Sequence, residues 1–323
     1  MRVLVTGAGA LLGQGVIRSL LASSLDVEIA AVDPSPLAAG LYWAQRSRLV
    51  PMATEPNYLE HMDALLGEER PDVVLIGTDV ELPLFAEHRE ELEHRHNTRI
   101  VVSDPQAVRI AGDKYETFQF MRQHGFWAPD SCLPGAEQEL IERVGFPLVV
   151  KPRAGARSIG VHIAHDRAEL EHAVRVVRDP VIQQLVGTEA DEFTAGVLCF
   201  DGHCHASIVM RRDLRDGNTY RAFVEPYPEL NAVVRAMGEK LAPYGPANFQ
   251  FRLSEGEVKV FEINARFSGT TPIRMLAGFN EVEAVLRHVV YGEPISQPEL
   301  LPLTILRHWS ETIVGPDELL STP

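Results

Sequence analysis

Cysteine is scarce, with three in 323 residues. The odd, small number excludes a disulfide framework and fits a reducing compartment. Positive charge is also in short supply. Thirty Lys and Arg face 45 Asp and Glu, a net charge of −15. That average field repels a polyanion, so no nucleic-acid partner is expected. No apolar run approaches the ~18 residues that span a bilayer. The N-terminus enters a strand directly, without the basic and apolar segments of a secretory leader. A cytoplasmic protein with no membrane partner is therefore expected. Internal repeats and low-complexity tracts are missing too, which excludes a solenoid. What is present is an ordinary globular composition, 45% hydrophobic and 23% charged. The length suits roughly two or three domains of ~100–200 residues.

The first hundred residues alternate between two patterns. Short apolar runs such as RVLVTG, VEIAAVD, DVVLIG and RIVVSD are separated by amphipathic stretches such as YLEHMDALLGEE and LPLFAEHREELEHRH. Near-continuous apolar strands between such helices predict a parallel sheet covered on both faces. After Ser103-Asp104-Pro105 the rhythm changes. Two short helices are predicted over PQAVRIAG and DKYETFQFMRQHG, followed by a strand–loop–strand unit, FPLVVKPRAGARSIGVHIAHD. A helix, the strand PVIQQLV, and two antiparallel hairpins around Asp201-Gly202 and SEGE follow. In CFDGHCH, Cys199, His203, Cys204 and His205 flank the first hairpin turn. Alternation puts the two histidines on one face and Cys204 on the other, without a CxxC pair, so ligand spacing argues against a metal there.

The segment VLVTGAGALLGQG raises the possibility of a dinucleotide site. Gly7, Gly9 and Gly13 give G-x-G-x-x-x-G, one residue longer than the fingerprint, and Gly15 extends it. Asp33 ends the next strand, where a ribose-binding acid would stand. The other reading is a tight strand-to-helix turn that needs glycine for packing.

The later chemistry-bearing stretches fit one another better. In KPRAGARSIGV, Lys151 ends an apolar strand and a loop with Gly155, Ser158 and Gly160 follows. Close-approaching backbone N–H groups and a point charge can hold phosphates there, with Arg153 and Arg157 adding positive charge. Lys114 opens a helix in GDKYETF. In VIQQLVGTEADEFTAGV a strand ends at Gln183, Gln184, Leu185 and Val186, and the acids Glu189, Asp191 and Glu192 follow. In NFQFRLSEGEVKVFEINAR, Asn248 and Gln250 share one strand face, and Glu262 and Asn264 share a face of the partner strand. Four oxygen-bearing side chains on one sheet face suit Mg2+ (or Mn2+). Arg266 follows on the same face. Burying such groups unpaired would cost several kcal/mol, so a plain core strand is a poor explanation.

The order Lys114, Lys151 with its glycine loop, QQLV, NFQF and FEINAR resembles the ATP-grasp superfamily. It is similar to the synthetase modules of the carbamoyl phosphate synthetase large subunit and to stand-alone carboxylate–amine ligases. The resemblance implies an α/β chain: a Rossmann-like pre-grasp domain over 1–105, then an ATP-grasp domain over 106–300. The latter would comprise a lid subdomain over about 122–185 and a metal-binding subdomain over about 186–300, with a C-terminal tail over 301–323. It implies an ADP-forming ligase that activates a small carboxylate as an acyl phosphate and joins it to an amine. By motif, Lys114, Lys151, Gly155, Ser158 and Gly160 would contact ATP phosphates, and Gln183, Gln184, Leu185 and Val186 would meet adenine. Glu192 or Glu189 would take the ribose. Gln250, Glu262 and Asn264 would hold Mg2+, with Glu262, Lys151 and Arg266 at the chemistry and Arg266 on the acyl phosphate. Arg211, Arg212, Arg221 and Arg274 lie near the expected active face, and one of them is expected to hold a substrate carboxylate. Thr78, Asp79 and Glu81 in GTDVELP are expected to shape the choice of substrate. A homodimer fits the resemblance. An NAD(P)-dependent reductase or epimerase built on Gly7–Gly15, or an inactive nucleotide-binding regulator, are the rival readings.

Overall fold

A computed structural model of the chain describes residues 1–155 and 158–320. The N-terminal part contains β1 (Arg2–Val5), α1 (Leu11–Leu21), β2 (Glu28–Asp33), β3 (Arg46–Leu49), α2 (Tyr58–Glu69), β4 (Val73–Leu75), α3 (Leu82–His96) and β5 (Arg99–Val101). The strands form an all-parallel sheet in the order β3-β2-β1-β4-β5. Its two central strands are buried throughout over Val3–Val5 and Val73–Leu75, because helices cover both faces. β3 was not evident from the pattern RSRL, since its side chains are only partly covered at the sheet edge.

Two short helices, α4 (Pro105–Gly112) and α5 (Lys114–Gln123), connect this sheet to the rest. Both start on an aspartate cap: Asp104 accepts from the Ala107 N–H, and Asp113 from the Tyr115 and Glu116 N–H groups. A four-stranded sheet follows, ordered β6-β9-β7-β8. It is built from β6 (Ser131–Cys132), α6 (Glu137–Val144), β7 (Leu148–Pro152), β8 (His162–Ala164), α7 (Arg167–Val176) and β9 (Pro180–Gln184). The third sheet has six strands, ordered β14-β13-β10-β11-β12-β15, all antiparallel. Its elements are β10 (Glu192–Phe200), β11 (His203–Arg215), β12 (Asn218–Val224), α8 (Pro228–Leu241), β13 (Gly245–Ser254), β14 (Glu257–Asn264), α9 (Thr271–Leu276), α10 (Glu281–Tyr291) and β15 (Leu303–Leu306). The last strand draws chain beyond Leu300 into this sheet by pairing Leu306 with Arg221 and Leu303 with Val224. Among the described residues, no helix is long and apolar enough to cross a membrane.

The cores show which parts pack together. One apolar cluster runs from Val3, Val5 and Ile17 of the N-terminal unit to Phe200, Ile208, Met210, Ile273 and Val282 of the six-stranded unit. Helix α1 makes the junction: a Cβ on Gly15 would lie 3.0 Å from Pro272 Cδ, and Leu11 packs at Gly269. The four-stranded unit instead has its own small core of Leu140, Leu148, Val150, Leu170, Ala173 and Ile182.

The glycines after β1 and β4 serve close backbone approach. A Cβ on Gly77 would lie 1.9 Å from the Thr6 carbonyl oxygen, and one on Gly13 would lie 2.2 Å from the Gly7 oxygen. Gly125, at φ +75°, has open space instead. Gly77→Ala should therefore cost about 3 kcal/mol by forcing β1 and β4 apart. Gly125→Ala should cost only the left-handed backbone penalty, about 1 kcal/mol. Paired urea and thermal melts check this; equal losses would refute the contact account of Gly77.

Candidate active site

The site begins with the pairing of β13 and β14. Register sets Asn248 opposite Asn264 and Gln250 opposite Glu262, so the four side chains share one face. Beyond that pair the register jumps, with Phe251 opposite Val260, and Phe261 is the extra residue. Such a bulge turns a carbonyl out of the ladder, and the Phe261 oxygen accepts from Lys151 Nζ at 3.5 Å. Glu262 Oε1 accepts from Gln250 Nε2 at 2.9 Å and from Asn264 Nδ2 at 3.1 Å. Gln250, Glu262 and Asn264 thus form one hydrogen-bonded group. Asn248 belongs to the same face but turns to Thr194, accepting from its hydroxyl at 2.9 Å.

Two lysines converge from the other side. Lys151 ends β7, is 7% exposed, and lies 5.4 Å from the Phe261 ring centroid. Burial drives its pKa down, nearby Lys114 adds to the effect, and Glu262 opposes it, leaving the ammonium at about 7. Lys114, the first residue of α5, donates to the Gly155 carbonyl at 2.8 Å and to the Arg153 carbonyl at 3.4 Å. Arg153 is not a free phosphate ligand; it forks onto the Asp113 cap at 2.5–3.2 Å. Gly155, Ser158 and Gly160 all take positive φ on an exposed turn. Arg157 lies outside the described residues.

The hinge follows β9. Gln183 is buried and donates to Ser131 Oγ at 2.8 Å, so it ties β9 to β6 rather than pointing at a base. Gln184 and Leu185 are half-buried and Val186 is buried. Glu192 departs most from expectation as a ribose acid. It is 3% exposed, and both its oxygens are taken: Oε1 by Arg212 at 2.8 Å, Oε2 by Arg252 at 2.8 and 3.0 Å. Glu189 is exposed in a short 3-10 turn, with its carboxylate available. Arg212 also donates to Gln250 Oε1 at 2.6 Å, while its buried Nε has no partner among the described residues. Arg252 reaches the Val186 carbonyl at 3.3 Å. Arg252 joins the site without having been expected there, although period-two spacing aligns Asn248, Gln250 and Arg252 on one face.

The remaining arginines separate. Arg211 bonds Asp213 at 3.0 Å and stacks over Phe223, with its Cζ 3.7 Å from the ring centroid. Arg221 is exposed and 3.6 Å from Asp213. Arg274 is not presented to a ligand. It is 1% exposed and forks onto Glu281 at 2.7 Å, with Ser268 and Thr270 taking its other donors. Gly196 makes room for it, since a Cβ there would lie 2.6 Å from its Cζ. Burial demands such a full set of partners, so Arg274 locks the loop after β14 instead of greeting substrate. Arg266 crosses to the N-terminal unit, donating to Asp79 at 2.7 and 3.0 Å and to Asn264 Oδ1 at 2.9 Å. Partial desolvation beside Arg266 pushes the half-exposed Asp79 carboxyl up, but the charges of Arg266 and Lys114 outweigh it and hold it below the usual range. Glu81 is not a pocket wall. It is buried and accepts from Thr6 at 2.7 Å, from Thr78 at 2.6 Å and from Tyr58. Burial raises its pKa despite these donors.

The N-terminal glycine turn offers little to a dinucleotide ribose. Asp33 Oδ2 accepts from the Gly9 N–H at 2.7 Å and Oδ1 from the Ser35 N–H at 2.9 Å, so the acid closes its own turn. Cys199 and Cys204 sit opposite each other across the first hairpin, both buried, while His203 is exposed.

With this geometry in hand, comparison with known proteins is direct. Residues 3–101 match the family described as "PylC-like, N-terminal domain". Residues 109–239 match "D-ala D-ala ligase C-terminus", and residues 181–308 match "ATP-grasp in the biosynthetic pathway with Ter operon". The carbamoyl phosphate synthase large chain of Methanosarcina barkeri is 25% identical over 304 residues, covering 84% of this chain and 28% of its own length. The chain thus spans little more than a quarter of the curated relatives it resembles over most of its length. Among solved structures, N5-carboxyaminoimidazole synthetase from Staphylococcus aureus, complexed with ADP, superposes with a TM-score of 0.75 at 16% identity. The match covers 94% of this chain and 81% of that one. An L-amino acid ligase from Bacillus licheniformis gives 0.69 at 20% identity, covering 91% and 75%. At those identities the likeness carries the fold. Fold, motif order and family matches agree on the arrangement: a PylC-like N-terminal region matched over residues 3–101 stands ahead of an ATP-grasp region matched over residues 181–308.

Proposed function

We propose that this chain is an ATP-dependent ligase that activates a small carboxylate as an acyl phosphate and passes the acyl group to an amine, releasing ADP and phosphate. The observation that carries this reading is the convergence of Lys114, Lys151 and the Gln250–Glu262–Asn264 group from four elements, α5, β7, β13 and β14.

The donor set fits Mg2+. One carboxylate and two amides supply hard oxygens without thiolate or imidazole; the amide oxygens of Gln250 and Asn264 accept from Arg212 and Arg266 in this structure and would exchange those donors for the ion. Gln250, Glu262 and Asn264 would hold the ion, which when bound would neutralise charge on the phosphates and orient them. Lys151 and Lys114 would neutralise the transferring phosphoryl group. The turn of Gly155, Ser158 and Gly160 would cover it and exclude water from the acyl phosphate. The backbone at Gln184–Val186 would meet adenine, with the Val186 carbonyl steadied by Arg252. Glu189 is the better-placed ribose acid, because Glu192 is engaged by two arginines. The carboxylate oxygen attacks the γ-phosphorus and ADP leaves. The amine nitrogen then attacks the acyl carbon, phosphate leaves, and the amine loses a proton. Arg266, at the end of the Glu262 strand, would carry the charge of the acyl phosphate.

Three outcomes are expected. Incubation with ATP, a carboxylate and hydroxylamine should yield ADP and a hydroxamate; AMP and pyrophosphate would refute the chemistry. Glu262→Gln should lower turnover by roughly a thousandfold or more, with thermal stability retained; activity near that of the parent would remove the metal assignment. Lys151 sets a pH dependence. With its pKa at about 7, the free side chain is largely neutral at pH 8, whereas a bound triphosphate favours the ammonium. ATP binding at pH 8 should therefore take up a proton, and affinity should fall as pH rises above 7. Calorimetry in buffers of different ionisation enthalpy reads this, and Lys151→Met should abolish the uptake. Uptake that is unchanged in that variant would show that another group titrates.

A further inference from the structure

The sheet order β3-β2-β1-β4-β5 reverses direction between β1 and β4. In an open α/β sheet the crevice outside the carboxyl ends of the strands at such a switch point is where ligands bind. Here the two loops at that switch point, the Gly7–Gly9 turn after β1 and Gly77–Asp79 after β4, touch at their base: a Cβ on Gly7 would lie 2.3 Å from Thr78 Cγ2. Beyond that contact Asp79 reaches Arg266, beside the candidate phosphoryl-transfer site. The loop that carries Asp79 is anchored from behind: Thr78 is held by Glu81, and Gly77 N–H donates to Thr6 Oγ1 at 3.0 Å. Asp79 itself is different. Its side chain is half exposed, and Arg266 is its one ion-pair partner among the described residues.

Arg266 holds a carboxylate in a two-nitrogen fork while also touching Asn264 of the candidate metal group. That is how a guanidinium would hold an incoming substrate carboxylate. Asp79 offers the complementary charge at the same place. The two residues neutralise each other when paired, and a ligand with adjoining carboxylate and ammonium groups could replace each partner with its own. A plain carboxylate would replace only one and would leave Asp79 without its cation.

We propose that Asp79 is a specificity-determining residue and that the carboxylate substrate is an α-amino acid, its carboxylate on Arg266 and its ammonium on Asp79. This rests on the ligase reading above and names the substrate class for that site. The amino acid would enter between the N-terminal unit and the end of β14, exchanging one ion pair for two.

The test uses the full chain. Thermal-shift and calorimetric titrations compare the common amino acids with their des-amino and N-acetyl counterparts, with and without a non-hydrolysable ATP analogue. ADP release is measured on the same panel. At least one free amino acid should bind about tenfold or more tightly than its des-amino partner. Asp79→Asn should erase that preference and raise the KM for the amino acid with the KM for ATP unchanged, and Asp79→Glu should restore part of it. A des-amino acid bound as well as the amino acid, or an unchanged preference in Asp79→Asn, would overturn the proposal. A panel in which no free amino acid binds would overturn it too. Absence of ADP release with every carboxylate would refute the ligase reading instead, and the binding titrations would still decide the role of Asp79.

Discussion

The pairing of Gln250 with Glu262 across two antiparallel strands is the constraint on which the site depends. Because the ladder is in register there and slips by one residue immediately afterwards, Glu262 stays among amides while the Phe261 carbonyl is turned toward Lys151. A one-residue change in that register would send Glu262 and Asn264 to the apolar face, where Phe249, Phe251 and Ile263 lie fully buried. The same pairing sets where Arg266 emerges, and so where the N-terminal unit can contribute a residue.

Charge is managed by strict partnership rather than by accumulation. The chain is acidic overall, yet the cleft gathers Lys114, Lys151, Arg212, Arg252 and Arg266. Two of these arginines share one buried carboxylate, Glu192. Removing Glu192 would leave both guanidiniums without their anion, which is far costlier than the net value of the intact group. Lys151 meets the same pressure differently. With Lys114 near and no direct carboxylate partner among its hydrogen bonds, it yields protonation instead. Arg274 and Glu281 repeat the paired solution beneath the loop after β14.

The two larger units share one apolar cluster through α1, α9 and α10, whereas the four-stranded unit keeps its own. The metal-type group and the N-terminal loops therefore belong to one packed body, while β6–β9 close around an apolar cluster of their own. The glycine turn at the N-terminus belongs to the larger body. Its glycines admit backbone contacts and helix packing, and its acid closes the turn itself.

Much of this was legible in the primary structure, for local reasons. Helices α2, α3 and α4 follow from 3.6-residue periodicity and from capping or proline starts, and the β13–β14 face follows from period-two spacing of Asn248, Gln250, Glu262 and Asn264. Residue type and order were enough for the ATP-grasp resemblance. What local pattern does not contain is which charges find each other. Glu192 and Arg274 look like available site residues in the chain and are spent on buried ion pairs in the fold. Arg252 looks unremarkable in the chain yet bonds Glu192 and the Val186 carbonyl in the fold, and Asp79, expected only to shape a pocket, finds Arg266 as its partner. Those pairings join positions 60 and 187 residues apart. Alternation and propensity act over a few residues, but the partner of a buried charge is decided only when distant strands are brought within hydrogen-bond reach.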